Sequence, residues 1–309
     1  MQVTWKGVYP AITTKFTIDD KLDIQLFSKN MLEQIDAGID GIVLGGTLGE
    51  ASTLTSEEKS ILISETQKIV AGKIPVILNI AEQSTFEAIK IAKEAEKNGV
   101  DGFMLLPPMR YAADSSETVE YFKSVANSTS LPIMIYNNPI DYKIPVTLEM
   151  FDQLSEIENI TAVKESTRDT TNVTRMINRF DDRFKILSGV DTLALESLIM
   201  GADGWVAGLV CAFPRETVAI YRLAKAGKIK ESIEIFRWFL PLLELDINSK
   251  LVQNIKLAEF YTGIGSEYVR KPRLQLIGKE RDSVIKIIED SLETRPTLPD
   301  YKSLIIGDK

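Results

Sequence analysis

The chain contains no histidine and a single cysteine, Cys211, so proton transfer and nucleophilic attack must fall to carboxylates, lysines, tyrosines or that one thiol. Ser-His-Asp and Cys-His arrangements are excluded, as are His-ligated zinc or haem, a Cys-based metal cluster and an intrachain disulfide. Within this reduced set Lys164 stands out, because it follows Ile160-Thr161-Ala162-Val163, an apolar run suited to an interior strand. Desolvation lowers a lysine's pKa, and a lysine partly neutral near pH 7 is the nucleophile that condenses with a carbonyl or imine carbon. The competing reading is a lysine paired with Glu165 or snorkelling to a rim. Tyr136 lies 28 residues earlier, in Tyr136-Asn137-Asn138-Pro139. It is either a proton carrier or a core aromatic whose hydroxyl bonds nearby backbone. The turn Gly45-Gly46-Thr47-Leu48-Gly49-Glu50 could meet an anion through backbone N–H groups, although it matches neither a dinucleotide fingerprint nor a P-loop. A purely structural turn is the alternative there. Ser188-Gly189-Val190-Asp191 is a fourth short segment that ends in polar residues.

These four segments are all ends of apolar, β-rich runs bounded by Gly, Pro or Asn. Eight such runs are expected as strands, at 7–16, 41–46, 75–81, 102–108, 132–138, 160–166, 185–190 and 204–209. From the second onward their starts lie 19 to 34 residues apart, the length of one βα unit. Between them run helical segments, for instance one opening at Thr55-Ser56-Glu57-Glu58-Lys59 with a Ser or Thr cap, and 85–98 before Gly99. The repeat predicts an α/β fold, a (β/α)8 TIM barrel, with a doubly wound open sheet as the alternative. Helices are expected at 216–225, 229–245, 251–262 and 282–292. The division is therefore 1–215 for the barrel and 216–309 for its last helix plus a C-terminal helical cap, not an independent domain. In a parallel barrel the C-terminal strand ends form the active site, which is where the chemistry-bearing residues fall.

The 309 residues suit one large barrel, and 44% hydrophobic with 26% charged residues argues against disorder. A formal charge of −8 without a basic block makes nucleic acid an unexpected partner. No secretory leader and no run of ~18 apolar residues is found, so no membrane partner and a cytoplasmic location are expected.

The set Gly46-Thr47-Leu48-Gly49-Glu50, Tyr136-Asn137-Asn138-Pro139 and Lys164-Glu165-Ser166 resembles the dihydrodipicolinate synthase and N-acetylneuraminate lyase family over nearly the whole chain. The resemblance implies a barrel with a helical C-terminal extension, a homotetramer, and Schiff-base (class I) lyase chemistry on a small 2-oxo acid without metal or organic cofactor. It further implies that Lys164 forms the imine, Tyr136 shuttles protons, and Thr47 links Tyr136 into a hydroxyl relay. Gly46, Leu48, Gly49, Glu50, Asn138, Gly189, Asp191 and Gly208 are the expected substrate-binding residues, with Arg110 or Tyr111 entering the relay from a neighbouring subunit.

The sequence also departs from the synthase pattern. Asp141 stands two residues after Pro139, where those synthases place a carboxylate-binding arginine, and Leu48 replaces a second hydroxyl residue. Leu105-Leu106-Pro107-Pro108-Met109, the run 204–210, the run 250–258 and Val269-Arg270-Lys271-Pro272-Arg273-Leu274 look like the Δ1-pyrroline-4-hydroxy-2-carboxylate deaminase branch. The expected reaction is therefore deamination and dehydration of that cyclic imine to 2-oxoglutarate semialdehyde. The alternatives are 4-hydroxy-tetrahydrodipicolinate synthase or another pyruvate-dependent aldolase, and, outside enzymes, a non-catalytic 2-oxo acid or amino acid binding protein.

Overall fold

A computed structural model describes residues 1–307. Eight parallel strands follow one another around a barrel: β1 (Gly7–Pro10), β2 (Ile42–Leu44), β3 (Val76–Ile80), β4 (Gly102–Leu105), β5 (Ile133–Asn137), β6 (Ile160–Glu165), β7 (Lys185–Ser188) and β8 (Gly204–Ala207). Each lies inside one of the eight expected runs. Sequential neighbours pair from β2 to β8, β8 pairs with β1, and a parallel bridge between Ala11 and Val43 closes β1 toward β2. Such a ring has helices outside and side chains inside, which is why its strands read as continuous apolar runs. Val8, Ile42, Ile77, Phe103, Ile135, Val163, Leu187 and Trp205 are all essentially inaccessible.

The helix Ser56–Val70 starts as the sequence indicates, with a capping box between Thr55 and Glu58 that satisfies two backbone N–H groups. After β8 come Pro214–Lys225, Ile229–Leu243, a 3-10 turn Glu244–Ile247, Leu251–Tyr261 and Gly278–Glu293. The boundary expected at 215 falls within the first of these helices. Two fully buried ion pairs tie this extension to the barrel: Lys15 Nζ to Glu259 Oε1 at 3.0 Å, and Lys256 Nζ to Glu50 Oε1 at 2.5 Å. Among the described residues no helix is long and apolar enough to cross a membrane.

One irregularity decides what faces the barrel interior. Ile133 pairs with Ile160, but Met134 pairs with Ala162, so β6 carries one extra residue at Thr161. The side-chain period of a strand is two, so a one-residue shift changes which partner each residue meets. Beyond the bulge Tyr136 pairs with Lys164 and Asn137 with Glu165. Thr161 is held in place at the bulge, its hydroxyl accepting from Trp5 Nε1 at 2.8 Å.

Candidate active site

The register at the end of β5 and β6 sets Tyr136 and Lys164 side by side at the C-terminal mouth of the barrel. Lys164 Nζ lies 4.0 Å from the centroid of the Tyr136 ring, so the cation is held on the ring face. Both side chains are buried, Lys164 to 7% and Tyr136 to 9% residual exposure. Burial is the main influence on each. It depresses the lysine's pKa, against the opposing pull of Tyr142, Asp246, Asp191 and Asp141. It pushes the Tyr136 phenol up to about 12. Glu165, the alternative partner for Lys164, points to the other face of β6, as strand alternation requires. Its carboxylate accepts from the Thr167 backbone N–H at 2.8 Å and Asn172 Nδ2 at 2.7 Å.

Lys164 and Tyr136 line a cavity of about 460 Å³ together with Gly46, Thr47, Leu48, Asn138, Gly189 and Gly208. Those six were all expected at the site. Gly189 is required by crowding, since a Cβ there would meet Ser166 Oγ and come within 2.7 Å of Lys164 Cγ. Gly208 is required for the same reason, because its Cβ would approach Asp246 Oδ1 to 2.5 Å.

Three expected substrate-binding residues lie elsewhere. Glu50, fully buried and at φ 52°, accepts from Lys256 and from the Arg270 backbone N–H at 3.0 Å, with Arg273 3.9 Å away. A carboxylate so completely engaged braces the glycine turn against the C-terminal extension and does not face the cavity. Gly49 sits behind the turn, its carbonyl accepting from Thr14 Oγ1 at 2.7 Å. Asp191 accepts from Trp205 Nε1 at 2.9 Å and from the Gly208 and Leu209 backbone N–H groups, so it shapes the end of β8 from outside the cavity lining. Arg110 and Tyr111 are exposed on the loop after β4 and do not line this chain's cavity.

The hydroxyl connections also differ from expectation. Thr47 Oγ1 lies 2.7 Å from Tyr142 OH, and that pairing stands where a link to Tyr136 was expected. Tyr136 OH instead accepts from Asn138 Nδ2 at 3.2 Å, with the Ser166 hydroxyl beside it. Asn138 organises this corner: it caps the short helix Pro139–Tyr142 by accepting from the Asp141 N–H, and donates to Asp141 Oδ2 at 2.7 Å. Tyr142 then packs edge-on to Tyr136 with ring centroids 5.5 Å apart.

Six polar cavity residues escaped the sequence reading: Tyr142, Ser166, Arg168, Asp246, Asn248 and Ser249. Ser166 was legible, since it lies two residues after Lys164 and alternation puts both on one face. Arg168 also bears on Asp141. The two approach to 3.9 Å, and with Asn138 on its other oxygen the Asp141 charge is largely countered at the rim. The absence of an arginine at position 141 therefore does not leave the mouth without a cation, because the Arg168 guanidinium reaches it from the segment after β6.

The sequence profile of the dihydrodipicolinate synthetase family matches residues 4–291. The chain is 33% identical over 291 residues to the 4-hydroxy-tetrahydrodipicolinate synthase of Moorella thermoacetica, covering 94% of this chain and 98% of that one. Dihydrodipicolinate synthase from Bacillus anthracis superposes with a TM-score of 0.89 at 30% identity, covering 93% and 99% of the two chains. The chloride-inhibited Acinetobacter baumannii dihydrodipicolinate synthase complexed with pyruvate gives 0.89 at 26% identity, covering 93% and 99%. These findings overturn the deaminase expectation, since relatives at 30–33% identity bear the synthase name. Much of the segments behind that expectation is scaffold, although Gly208 lines the cavity: Leu105, Leu106, Trp205, Val252, Ile255 and Leu257 are core residues, and Lys256 is the buried partner of Glu50. Such residues report packing, not substrate.

Proposed function

Because this chain belongs to the dihydrodipicolinate synthetase family and is a lyase of that family, we propose that it works as a 4-hydroxy-tetrahydrodipicolinate synthase or a closely related pyruvate-dependent aldolase, through an imine on Lys164. The observation that carries this reading is the buried Lys164 amine on the Tyr136 ring at the barrel mouth. The neutral amine attacks C2 of pyruvate. The new N–C bond pushes the carbonyl electrons onto oxygen, which takes up protons and leaves as water. Loss of a C3 proton from the iminium gives an enamine, whose C3 attacks the aldehyde carbon of the second substrate. The aldehyde oxygen is protonated, and the imine is then released from Lys164 by hydrolysis or by an amine of the adduct.

Tyr136 carries protons at the inner side of this cycle. A phenol raised to about 12 is a donor that holds its proton until a strongly basic oxygen or carbon forms beside it. The backbone of the Gly46 to Leu48 turn holds the pyruvate carboxylate, with Thr47 fixed by Tyr142. The same reading includes a homotetramer in the cytoplasm, with Arg110 and Tyr111 available on the surface for contact between subunits.

The test is consumption of pyruvate with aspartate semialdehyde, followed by ultraviolet absorbance of the dipicolinate-type product after its dehydration and oxidation. Equal loss of both substrates supports the synthase. Stable levels of both, across pH 7 to 9 with folded protein, refute it.

A further inference from the structure

Tyr136 reaches Lys164 from β5, the neighbour of β6 on one side, and the chain brings a second proton-bearing side chain from the β8 side. Asp246 comes from the turn Glu244–Ile247 of the C-terminal extension and lines the same cavity. It lies over the end of β8, where a Cβ on Gly208 would come within 2.5 Å of Asp246 Oδ1 and 3.1 Å of Leu48 Cδ1. Leu48 belongs to the glycine turn that holds the pyruvate carboxylate in the reading above, so the Asp246 carboxyl borders the end of the cavity that receives pyruvate. Its side chain has no hydrogen-bond or ion-pair partner among the described residues. A second carboxylate, Asp191, lies behind Gly208 and accepts from Trp205 Nε1 and from the Gly208 and Leu209 backbone N–H groups. Two carboxylates so close cannot both ionise freely, and hydrogen-bond donors decide which one keeps the charge. Burial raises Asp191 too, but its donors oppose that rise, and Asp246 has none. Burial, then the Asp191 charge, holds the Asp246 carboxyl well above the usual carboxylate range, against the pull of Lys164 and Arg168. Asp141, Tyr136 and Tyr142 complete the ionisable groups at the mouth.

A carboxyl that keeps its proton beside an amine nucleophile is placed to donate that proton and to receive it back. We propose that Asp246 is the general acid that completes the pyruvate imine. Attack by the Lys164 amine on C2 gives a carbinolamine once Tyr136 has carried a proton from nitrogen to oxygen. The Asp246 carboxyl then donates its proton to the carbinolamine hydroxyl. The C2–O bond breaks with its electron pair on oxygen, water leaves, and the nitrogen lone pair forms the C=N bond. A carboxylate and an iminium remain side by side, each stabilised by the other's charge. In the reverse direction water attacks C2 of the iminium, and Asp246 takes the proton that the water sheds. The two carriers divide the work by acidity: a phenol at about 12 is a poor donor to a neutral hydroxyl, whereas a carboxyl is a strong one. This rests on the imine reading above and concerns only the step with pyruvate.

The experiment follows imine formation alone. Wild type, Asp246→Asn and Asp246→Ala, each checked by thermal unfolding, are mixed with excess pyruvate and quenched with borohydride at times from milliseconds to minutes. Mass spectrometry then reads the adduct. Asp246→Asn should slow adduct formation ~10²-fold, the lower end of what positioned proton transfer supplies. Asp246→Ala should be slowed at least as much. Formate, which returns a carboxyl to the vacated space, should restore the Ala variant ~10-fold or more as its concentration rises, while leaving wild type no faster. An Asn variant within threefold of wild type overturns the proposal. So does a slow Ala variant that formate does not accelerate, since the carboxyl then serves packing and not proton transfer. Failure of the imine reading shows separately, as wild-type enzyme that acquires no pyruvate adduct on Lys164; a wild-type adduct with an equally fast Asn variant defeats the role of Asp246 alone.

Discussion

Glu50→Gln separates a brace from a binding residue. In the native protein the Glu50 carboxylate faces Lys256 Nζ at 2.5 Å with both side chains fully buried, and it also accepts from the Arg270 backbone N–H at 3.0 Å. Removing one partner of a buried pair typically costs about 3–5 kcal/mol, because the other charge is left without its counterion. Lys256 would keep the Tyr268 carbonyl at 2.7 Å and the Phe16 ring at 4.6 Å, so the lower end, about 3 kcal/mol, is expected. Burial already lowers the Lys256 amine to about 8, and Glu50 is what holds it that high. The glutamine variant should therefore shed the Lys256 proton at lower pH than wild type. Between that lower pKa and about 8 the unfolded variant binds more protons than the folded one, while wild type shows no such difference at this group. The variant's stability consequently rises with pH in this window, and its deficit against wild type narrows up to about pH 8. Urea unfolding at pH 6.5 and 8.0, with kcat and KM for pyruvate on the folded protein, is the assay. A variant within about 1 kcal/mol of wild type whose pyruvate KM rises tenfold or more would refute the brace and return Glu50 to substrate binding.

Three further outcomes are expected. Tyr136→Phe should fold and still form the pyruvate adduct but lose ~10²- to 10⁴-fold in kcat, the usual worth of positioned proton transfer; a loss under threefold in steady-state assays would make Tyr136 a packing residue. The kcat/KM for pyruvate should level off well below pH 10.5, because desolvation depresses Lys164 and so keeps its amine neutral at lower pH than a free lysine; a tenfold rise per pH unit up to pH 10 would contradict this. Gly189→Ala should slow adduct formation at least ~10-fold and cost ~1–3 kcal/mol in thermal unfolding, since the added methyl meets Ser166 and Lys164; wild-type rates in that variant would mean Lys164 is less tightly seated than described.

The barrel was legible because parallel strands buried on both faces write themselves as apolar runs at regular spacing, and Lys164 was legible as the charge interrupting one of them. Its contact with Tyr136 was not, because it depends on the bulge at Thr161, and nothing in Ile160-Thr161-Ala162-Val163 signals an extra residue. Glu50 ends a glycine turn at the right strand, but its partner Lys256 lies 206 residues away, so burial could turn the carboxylate from the cavity without any local trace. Tyr142 and Asp246 were hidden for related reasons. One depends on how Asn138 caps a four-residue helix, and the other on how the extension folds back over β8. Asp141 misled by position alone, since charge at one site says little until its neighbours Asn138 and Arg168 are placed.

The central claim is that Lys164 is the amine that carries the substrate, and mass spectrometry after borohydride reduction in the presence of pyruvate tests it most directly. One adduct per chain is expected, on the peptide containing Lys164-Glu165-Ser166, and none in Lys164→Ala. An adduct on another lysine, or catalytic turnover retained in Lys164→Ala, would contradict the account.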